Sequence, residues 1–438
     1  MMTSQVLVTL LLALLSHGTR AGFLDLPSDP LETIKSTIDS AKTGAEGIIG
    51  TVPELITDSL GNVLDINNVP VVARVPTPDL IAQNGYPVES HYVTTDDGYI
   101  LNIHRIPKSK NGVSNGKVVY IQHGLMCSSV DFVLFGPKHG LAYLLSDAGY
   151  DVWLGNVRGN TYSRNHTRFS ADDEEFWQFS WHEIGKYDIP AIIDYVLLKT
   201  QKEQLFHIGH SQGTTTFYVM LSEKPKYNDK VEAHISLAPI AFMGHLFSPL
   251  IRFVALGTEP LSQLLNMMGE YEFLPNSSFF TFLKEATCFR GIGKVLCKNA
   301  LFAIAGFSPN QLNVSNVPVV VANYPAGAST RQIVHYGQEV KSKKFRMFDY
   351  GIYNVDHYTN GPPDYDLTRI ETDMYLLYSS NDWLAAKVDV EHFYDQLLHS
   401  KVKYNIPIDT WNHLDYLFGN DAPKVVYKKV LEILSKYN

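Results

Sequence analysis

The chain contains 438 residues, of which 45% are hydrophobic and 18% charged, a balance typical of a globular protein with a large buried core. Asp and Glu outnumber Lys and Arg by 45 to 36, and the resulting formal net charge of −9 argues against a nucleic-acid partner. The sequence shows no internal repeat, low-complexity tract or basic cluster.

The N-terminus has the pattern of a secretory signal peptide. Residues 6–15 are an almost unbroken apolar run, and small residues follow at Ser16, Gly18 and Ala21. This run is too short to span a bilayer but suits the hydrophobic region of a signal peptide. We therefore predict a signal peptide at residues 1–21, with an uncleaved buried helix as the alternative. No later apolar run reaches the length of about 18 residues that a transmembrane helix needs.

Residues 22–75 are a segment of unknown role. Their helical pattern of apolar residues is interrupted at Gly44, Gly47, Gly50 and Pro53. A pro-segment, an arm packed on the surface and a linker are all compatible with this pattern.

From residue 76 onward, strands alternate with helices. A hairpin is predicted at residues 91–104, with Asp96-Asp97-Gly98 as its turn. Short β-rich runs at 117–121 and 151–154 are typical of a parallel sheet, and helices are predicted near 140–148 and from Ile189 onward. This alternation predicts an α/β fold with a mostly parallel sheet.

The pentapeptide Gly209-His210-Ser211-Gln212-Gly213 lies between a predicted buried strand at 204–208 and a predicted helix at 212–222. A serine between two glycines at a strand-to-helix turn is the nucleophile elbow of α/β-hydrolases. The glycines are needed because the turn is strained and leaves no room for side chains beside the serine. At average Gly and Ser usage, about one chain in ten of this length would contain the pattern Gly-x-Ser-x-Gly by chance. The assignment of a nucleophile elbow therefore also needs support from the surrounding motifs.

Residues 240–365 differ in composition from the segments on either side. They are rich in Phe, Leu and Met, and their helical runs lack strand alternation. We predict that this stretch, called the insertion below, is a mainly helical cap over Ser211, between a first core segment at 76–239 and a second at 366–438. Most of its aromatic residues would fill the core of the cap itself, and some could line an acyl-chain pocket or face a lipid surface.

Cys288 and Cys297 are the candidate disulfide among the three cysteines. On one straight helix they would lie about 13 Å apart, too far for a bridge, but Gly291 and Gly293 allow the chain to turn back. The alternative is that all three thiols, including that of Cys127, stay free. Sequons begin at the following positions and agree with secretion: Asn165, Asn276 and Asn313.

A serine nucleophile requires a histidine base and a carboxylate that fixes its tautomer. In α/β-hydrolases these follow the serine in the order acid, then histidine. Asp382 follows the predicted strand 374–378, and His413 lies in a late loop before the terminal helix. Asp415 is the competing acid, but its position favours a local hydrogen bond within the loop of His413.

Acyl transfer also requires donors for the oxyanion. One is the backbone N–H of Gln212, and the other is predicted to be that of Leu125, after the strand 118–121. Gly124 would let this loop turn inward, and His123 would support it. Each donor would lower the barrier by roughly 3 kcal/mol.

Together these motifs resemble the acid lipase family, which includes gastric lipase and lysosomal acid lipase. The resemblance extends from about Pro78 to the C-terminus and covers the Cys288–Cys297 spacing. Cys127 and the length of the stretch before Pro78 depart from the family's pattern. The residues that carry the likeness are Gln122-His123-Gly124-Leu125, Trp153-Leu154-Gly155-Asn156-Val157-Arg158-Gly159-Asn160, the serine pentapeptide, Asn381-Asp382-Trp383-Leu384-Ala385 and Asn412-His413-Leu414-Asp415-Tyr416.

The resemblance implies an α/β-hydrolase core with a helical cap, which hydrolyses esters of neutral lipids without a cofactor or metal. It implies Ser211, Asp382 and His413 as the triad, with Leu125 and Gln212 at the oxyanion hole. Arg158 has no derived catalytic role and is expected to pair with a carboxylate beneath the site.

Three functions are compatible with these motifs. The first is a secreted triacylglycerol lipase acting at a lipid–water interface. The second is a lysosomal steryl ester hydrolase of the same mechanism, which differs in pocket length. The third is a non-catalytic lipid-binding or storage protein, which loss of a triad member would favour. A serine peptidase is disfavoured because the motifs point to lipid esters.

Overall fold

The computed structural model of the chain describes residues 75–256, 271–273, 288, 291–408 and 410–437. The predicted signal peptide and all but the last residue of segment 22–75 lie outside these ranges, as does the sequon at Asn276.

The core is a mixed, mostly parallel sheet with the strand order β1-β2-β4-β3-β6-β7-β8-β9, and β5 pairs with β2. β1, β2 and β4 are joined by antiparallel pairs, whereas every pair from β4 through β3 to β9 is parallel. The predicted α/β fold class is confirmed. The strands are β1 (Glu89–Thr94), β2 (Tyr99–Ile106), β3 (Val118–Gln122), β4 (Asp151–Leu154), β5 (Asn165–His166), β6 (Leu205–His210), β7 (Val231–Leu237), β8 (Asp373–Tyr378) and β9 (Lys403–Pro407).

Helices connect the parallel strands. A π-helical turn, Ile184–Asp188, joins α3 to α4, and another, Pro423–Tyr427, precedes the C-terminal helix. The α-helices are α1 (Thr77–Gln83), α2 (Leu141–Asp147), α3 (Trp181–Glu183), α4 (Ile189–Thr200), α5 (Gln212–Glu223), α6 (Pro249–Leu256), α7 (Gly291–Ala305), α8 (Val317–Asn323), α9 (Thr330–Ser342), α10 (Asn354–His357), α11 (Lys387–Gln396), α12 (Asp415–Phe418) and α13 (Lys428–Leu434).

The centre of the sheet is buried on both faces. Every residue of β3 and β6 is buried, which explains why their sequences are apolar runs without alternation. β3 pairs with β4 on one side and with β6 on the other. The chain therefore continues from β3 towards one edge of the sheet and later returns past β3 to continue towards the other edge. In open α/β sheets the carboxyl ends of the strands at such a reversal form a crevice that binds ligands.

The insertion lies between β7 and β8. Its described residues form helices α6 to α10 together with short 3₁₀ turns, and they contribute no strand to the sheet. The structure contains the disulfide between Cys288 and Cys297, with an S–S distance of 2.05 Å and Cα atoms 5.6 Å apart. The thiol of Cys127 is free and buried. Among the described residues, no helix combines the length and apolar character needed to cross a bilayer.

Candidate active site

Ser211 occupies the sharp turn between β6 and α5. Its backbone has φ 52° and ψ −123°, a region that residues other than glycine rarely adopt. A Cβ atom on Gly209 would lie 2.7 Å from the carbonyl oxygen of Gly213, and one on Gly213 would lie 2.4 Å from that of Gln122. Only glycine fits at either position, so the steric requirement predicted for the pentapeptide is met.

His413 connects Ser211 to Asp382. Its Nε2 atom lies 2.7 Å from Ser211 Oγ, and its Nδ1 atom lies 2.8 Å and 3.1 Å from the two carboxylate oxygens of Asp382. All three residues are buried. A carboxylate only accepts, so Nδ1 carries the proton and Nε2 accepts from the serine hydroxyl. This tautomer is the one that can remove a proton from Ser211.

Further hydrogen bonds hold the carboxylate in place. Asp382 Oδ1 accepts the backbone N–H groups of Leu384 at 2.9 Å and Ala385 at 2.8 Å, in addition to the histidine. Because these amides belong to the loop that follows β8, the end of the strand sets the orientation of the carboxylate.

The backbone of His413 is also held from two sides. Its N–H donates to the carbonyl of Ala305, the last residue of α7, which also accepts the N–H of Trp383. His210 donates from Nε2 to the carbonyl of His413 at 3.1 Å. Burial, with a smaller contribution from neighbouring His413, lowers the pKa of His210 to about 3, so His210 stays neutral.

Asp415 lies elsewhere in its loop. Its Oδ2 accepts the backbone N–H of Asn412 at 2.8 Å, which is the local hydrogen bond predicted for it. Burial raises the pKa of Asp415 to about 6. The structure therefore brings Asp382, and not Asp415, to the imidazole.

The loop after β3 lies against the serine. A Cβ atom on Gly124 would be 3.0 Å from Ser211 Cβ, so glycine permits this close approach. The backbone amides of Leu125 and Gln212 donate no hydrogen bond to any described part of the chain. Gln212 directly follows the serine and Leu125 follows Gly124, so both amides, unpaired within the described chain, belong to segments that adjoin the serine. Such amides are available to a bound oxyanion.

His123 supports the loop after β3. Its Nδ1 donates to the carbonyl of Gly124 at 2.8 Å, and its Nε2 accepts from Asn160 Nδ2 at 3.1 Å and from the N–H of Val157 at 3.3 Å. Burial lowers the pKa of His123 to about 4, which keeps the ring neutral and able to both donate and accept. The motif 153–160 thus holds His123, and through it the loop after β3, by two hydrogen bonds.

Arg158 belongs to the same motif and is fully buried. Its guanidinium forms ion pairs of 2.6 Å with Asp97 and with Asp188, and it lies over the ring of Tyr99 at 3.9 Å. This matches the carboxylate pairing expected for it. Breaking such a pair from one side would leave a buried charge without compensation, so Arg158 has a structural role here.

Two residues at the site were not predicted from the sequence. Gln332 in α9 donates to the side chain of Gln212. Asp131, in the 3₁₀ turn Ser129–Phe132 that follows the loop after β3, accepts the hydroxyl of Tyr324. The motif Ser329-x-x-Gln332 is a capping box and could have located the start of α9, but not its contact with Gln212. Burial raises the pKa of Asp131 to about 7.

The side chains at the site suit acyl transfer. A hydroxyl, an imidazole, a carboxylate and two backbone amides are the groups that a serine hydrolase uses. In the described ranges, no group of three or more His, Cys, Asp or Glu residues could hold a metal ion.

Comparisons with known proteins agree with this geometry. Residues 117–420 match the model of the alpha/beta hydrolase fold, and residues 77–136 match a partial alpha/beta-hydrolase lipase region. The chain is 39% identical to a gastric triacylglycerol lipase of Rattus norvegicus over 83% of this chain and 92% of the relative. It is 38% identical to a lysosomal acid lipase/cholesteryl ester hydrolase of Homo sapiens over 82% of this chain and 90% of the relative.

The chain belongs to the acid lipase family. Lipase 3 of Drosophila melanogaster, another relative, is 43% identical over 82% of this chain and 92% of its own length. As a member of this family, the chain is a carboxylic ester hydrolase.

A solved structure matches the fold of this acid lipase. A soluble variant of monoglyceride lipase from Saccharomyces cerevisiae superimposes with a TM-score of 0.52 at 14% identity, covering 84% of this chain and 98% of that one. At this level of identity the likeness concerns the fold alone.

Proposed function

We propose that this acid lipase is a secreted serine lipase that hydrolyses carboxylic esters of neutral lipids, triacylglycerols above all, through an acyl-enzyme. The observation that carries the proposal is the continuous hydrogen-bonded chain from Ser211 Oγ through His413 to Asp382, with distances of 2.7 Å and 2.8 Å. This chain is the arrangement in which a serine hydroxyl becomes a nucleophile.

In the first half of the reaction, Ser211 Oγ attacks the ester carbonyl while His413 Nε2 takes the hydroxyl proton. Asp382 stabilises the imidazolium that results, because the carboxylate faces Nδ1–H. The tetrahedral intermediate then collapses, the C–O bond to the alcohol breaks, and His413 returns the proton to the departing alkoxide. A water molecule, activated by the same imidazole, releases the fatty acid in the second half.

The negative oxygen of each tetrahedral intermediate would be bound by the backbone N–H groups of Leu125 and Gln212. Both amides are free of other partners in the described chain. Gln212 directly follows the serine, and Leu125 follows Gly124, which packs against the serine. Because donors in a buried site need no reorganisation, each would contribute about 3 kcal/mol to the stabilisation of the transition state.

Triacylglycerols are proposed as substrates because the relatives at 39% identity include a gastric triacylglycerol lipase. A second candidate substrate class is steryl esters, since a relative at 38% identity is a lysosomal acid lipase/cholesteryl ester hydrolase. Both reactions would use the same catalytic residues. The size of the acyl and alcohol pockets would separate them.

Entry into the secretory pathway is proposed from three features of the chain. The apolar run at residues 6–15 suits a signal peptide. The Cys288–Cys297 disulfide suits an oxidising compartment, and the sequon residues Asn165 and Asn313 are both exposed. Secretion is proposed as the destination, with the lysosome as the alternative.

The proposal is tested by fatty-acid release from emulsified long-chain triacylglycerol between pH 4 and 8, comparing the wild type with Ser211→Ala. We expect release by the wild type and a loss of about 10⁵-fold or more in the variant, with an unchanged melting temperature. A fluorophosphonate probe should label the wild type and not the variant. Substantial hydrolysis by Ser211→Ala would exclude the proposed nucleophile.

Steryl esters are assayed in parallel under the same conditions. Release from steryl esters alone would favour the second candidate substrate class. Failure of the wild type on both classes, together with no labelling by the probe, would favour a non-catalytic lipid-binding protein.

A further inference from the structure

One short segment of the insertion, residues 324–332, contacts both loops that carry the proposed oxyanion amides. The N–H of Ala326 donates to the carbonyl of Met126, next to Leu125, at 2.8 Å. At the other end of the segment, Gln332 Nε2 donates to Gln212 Oε1 at 3.1 Å. The loop after β3 and the start of α5 are thus held by the same piece of chain.

The contact at Met126 restrains a backbone that strongly favours other conformations. Met126 has φ 59°, a left-handed conformation that is unfavourable for a residue other than glycine. Ala326 is itself held, because Thr161 Oγ1 donates to its carbonyl at 3.0 Å. The restraint thus acts on the residue next to Leu125, in the loop that carries the proposed oxyanion amide.

The contact at Gln212 is fixed in orientation as well as in position. Gln332 Oε1 accepts the N–H of Ser329 at 2.9 Å, so the amide of Gln332 must present its NH₂ group to Gln212. The side chains of Gln332 and Gln212 are both buried, with 2% exposed. An unpaired Gln212 Oε1 would be unfavourable in this buried site, so the side chain would move to find a partner.

We propose that Gln332 is a positioning residue for ester hydrolysis, which acts by holding Gln212 so that its backbone N–H points at the oxyanion. This inference rests on the proposed function, in which the Gln212 amide is an oxyanion donor. Gln212 is the first residue of α5 and follows the strained Ser211, so its peptide is not yet held by the helical hydrogen-bond ladder. The tether from α9 supplies the missing restraint.

The test is Gln332→Met, which keeps the length of the side chain but removes its amide, and with it the hydrogen bonds to Gln212 and to Ser329. We expect kcat for a soluble short-chain ester to fall about ten- to a hundred-fold, with KM changed less than about twofold, because the tether acts on the transition state. The rate of inactivation by a p-nitrophenyl phosphonate should fall in parallel, since the phosphonyl adduct places an oxygen in the same oxyanion hole.

Gln338→Met is the matched control. Gln338 belongs to the same helix and also makes two amide hydrogen bonds, but both are to the backbone of Asp349. We expect this variant to retain the kcat of the wild type even where its melting temperature falls. Equal losses of kcat in Gln332→Met and Gln338→Met would show that α9 matters only for stability and would overturn the proposal.

A double-mutant cycle with Gln212→Met tests whether the loss of kcat in Gln332→Met arises through the side chain of Gln212. Gln212→Met keeps the backbone N–H and removes the side-chain acceptor. If Gln332 acts through Gln212, the double variant should lose no more kcat than the more damaging single variant. Multiplicative losses would exclude this route.

The activity of the wild type distinguishes failure of the positioning role from failure of the proposed function. A wild type that hydrolyses no ester and is not labelled by the phosphonate contradicts the proposed function. A fully active wild type with an unimpaired Gln332→Met variant contradicts the positioning role alone.

Discussion

The Nε2 atom of His413 lies 2.7 Å from the hydroxyl oxygen of Ser211, although 202 residues separate the two in the chain. The two residues belong to different loops at the same edge of the sheet, and the backbone of His413 is held there by Ala305 and His210. The contact therefore depends on the insertion as well as on the core, which makes the surrounding residues open to specific tests.

Asp382→Asn should lower kcat by about 10⁴-fold, because the amide cannot hold the tautomer in which Nε2 accepts from the serine. Asp415→Asn is the matched control, since it makes the same change two residues from His413 without touching the imidazole. We expect it to cost less than about tenfold. The measurement is kcat for a soluble ester, and a larger loss in Asp415→Asn would exchange the roles of the two carboxylates.

Gly124→Ala should impair activity more than folding. The new methyl group would lie 3.0 Å from Ser211 Cβ and push the loop after β3 away from the serine, lowering kcat about ten- to a hundred-fold. In Gly244→Ala, the matched control, the methyl group would be equally close to Lys343 Cβ. Each change should lower stability by about 1–3 kcal/mol in urea unfolding, but only Gly124→Ala should lose kcat. An unchanged kcat in Gly124→Ala would contradict this close packing.

Removing the disulfide by the double substitution Cys288→Ser and Cys297→Ser should lower the free energy of unfolding by about 2–3 kcal/mol, mainly because the unfolded chain gains freedom. Urea unfolding of the two forms measures the difference. Peptide mapping of the wild type without reduction should recover the two cysteines as one linked peptide. Recovery of both as free thiols would refute the bridge.

Asp131→Asn should change how stability depends on pH. Burial raises the folded-state pKa of Asp131 to about 7, well above the ordinary value near 4, so between these values the folded state binds a proton that the unfolded state has lost. Stability from this group is therefore complete below about pH 4 and is lost as the pH rises towards 7. The neighbouring Tyr324 and Cys127 have raised pKa values and stay neutral in this range.

The stability of Asp131→Asn relative to the wild type should consequently rise between pH 4 and 7, by at most about 1.4 kcal/mol per pH unit. Urea unfolding at several pH values measures it. A difference between the two proteins that stays constant with pH would show that the carboxyl titrates normally.

The sequence was sufficient for the fold class and for most elements around the site. The buried runs that become β3 and β6, the hairpin of β1 and β2, and the strand-to-helix turn at Ser211 were all predicted near their observed bounds. These features depend on hydrophobic periodicity and on local backbone restrictions, which neighbouring residues determine. The acid lipase family and its ester hydrolase activity were predicted from motifs of the same local kind, and both are confirmed.

Asp382 and His413 were predicted as triad partners of Ser211 from their place in chain order, and the structure brings Asp382 to His413 and His413 to Ser211. The contact of Gln332 with Gln212 was not predicted, because it joins the insertion to the core across 120 residues and leaves no pattern in either segment. The tautomer of His123 and the raised pKa of Asp131 were equally invisible, since burial and hydrogen-bond partners produce both. Local sequence thus determined which elements form and where Ser211 lies. Only the tertiary structure decided which distant side chains orient the site, because that depends on how the elements pack.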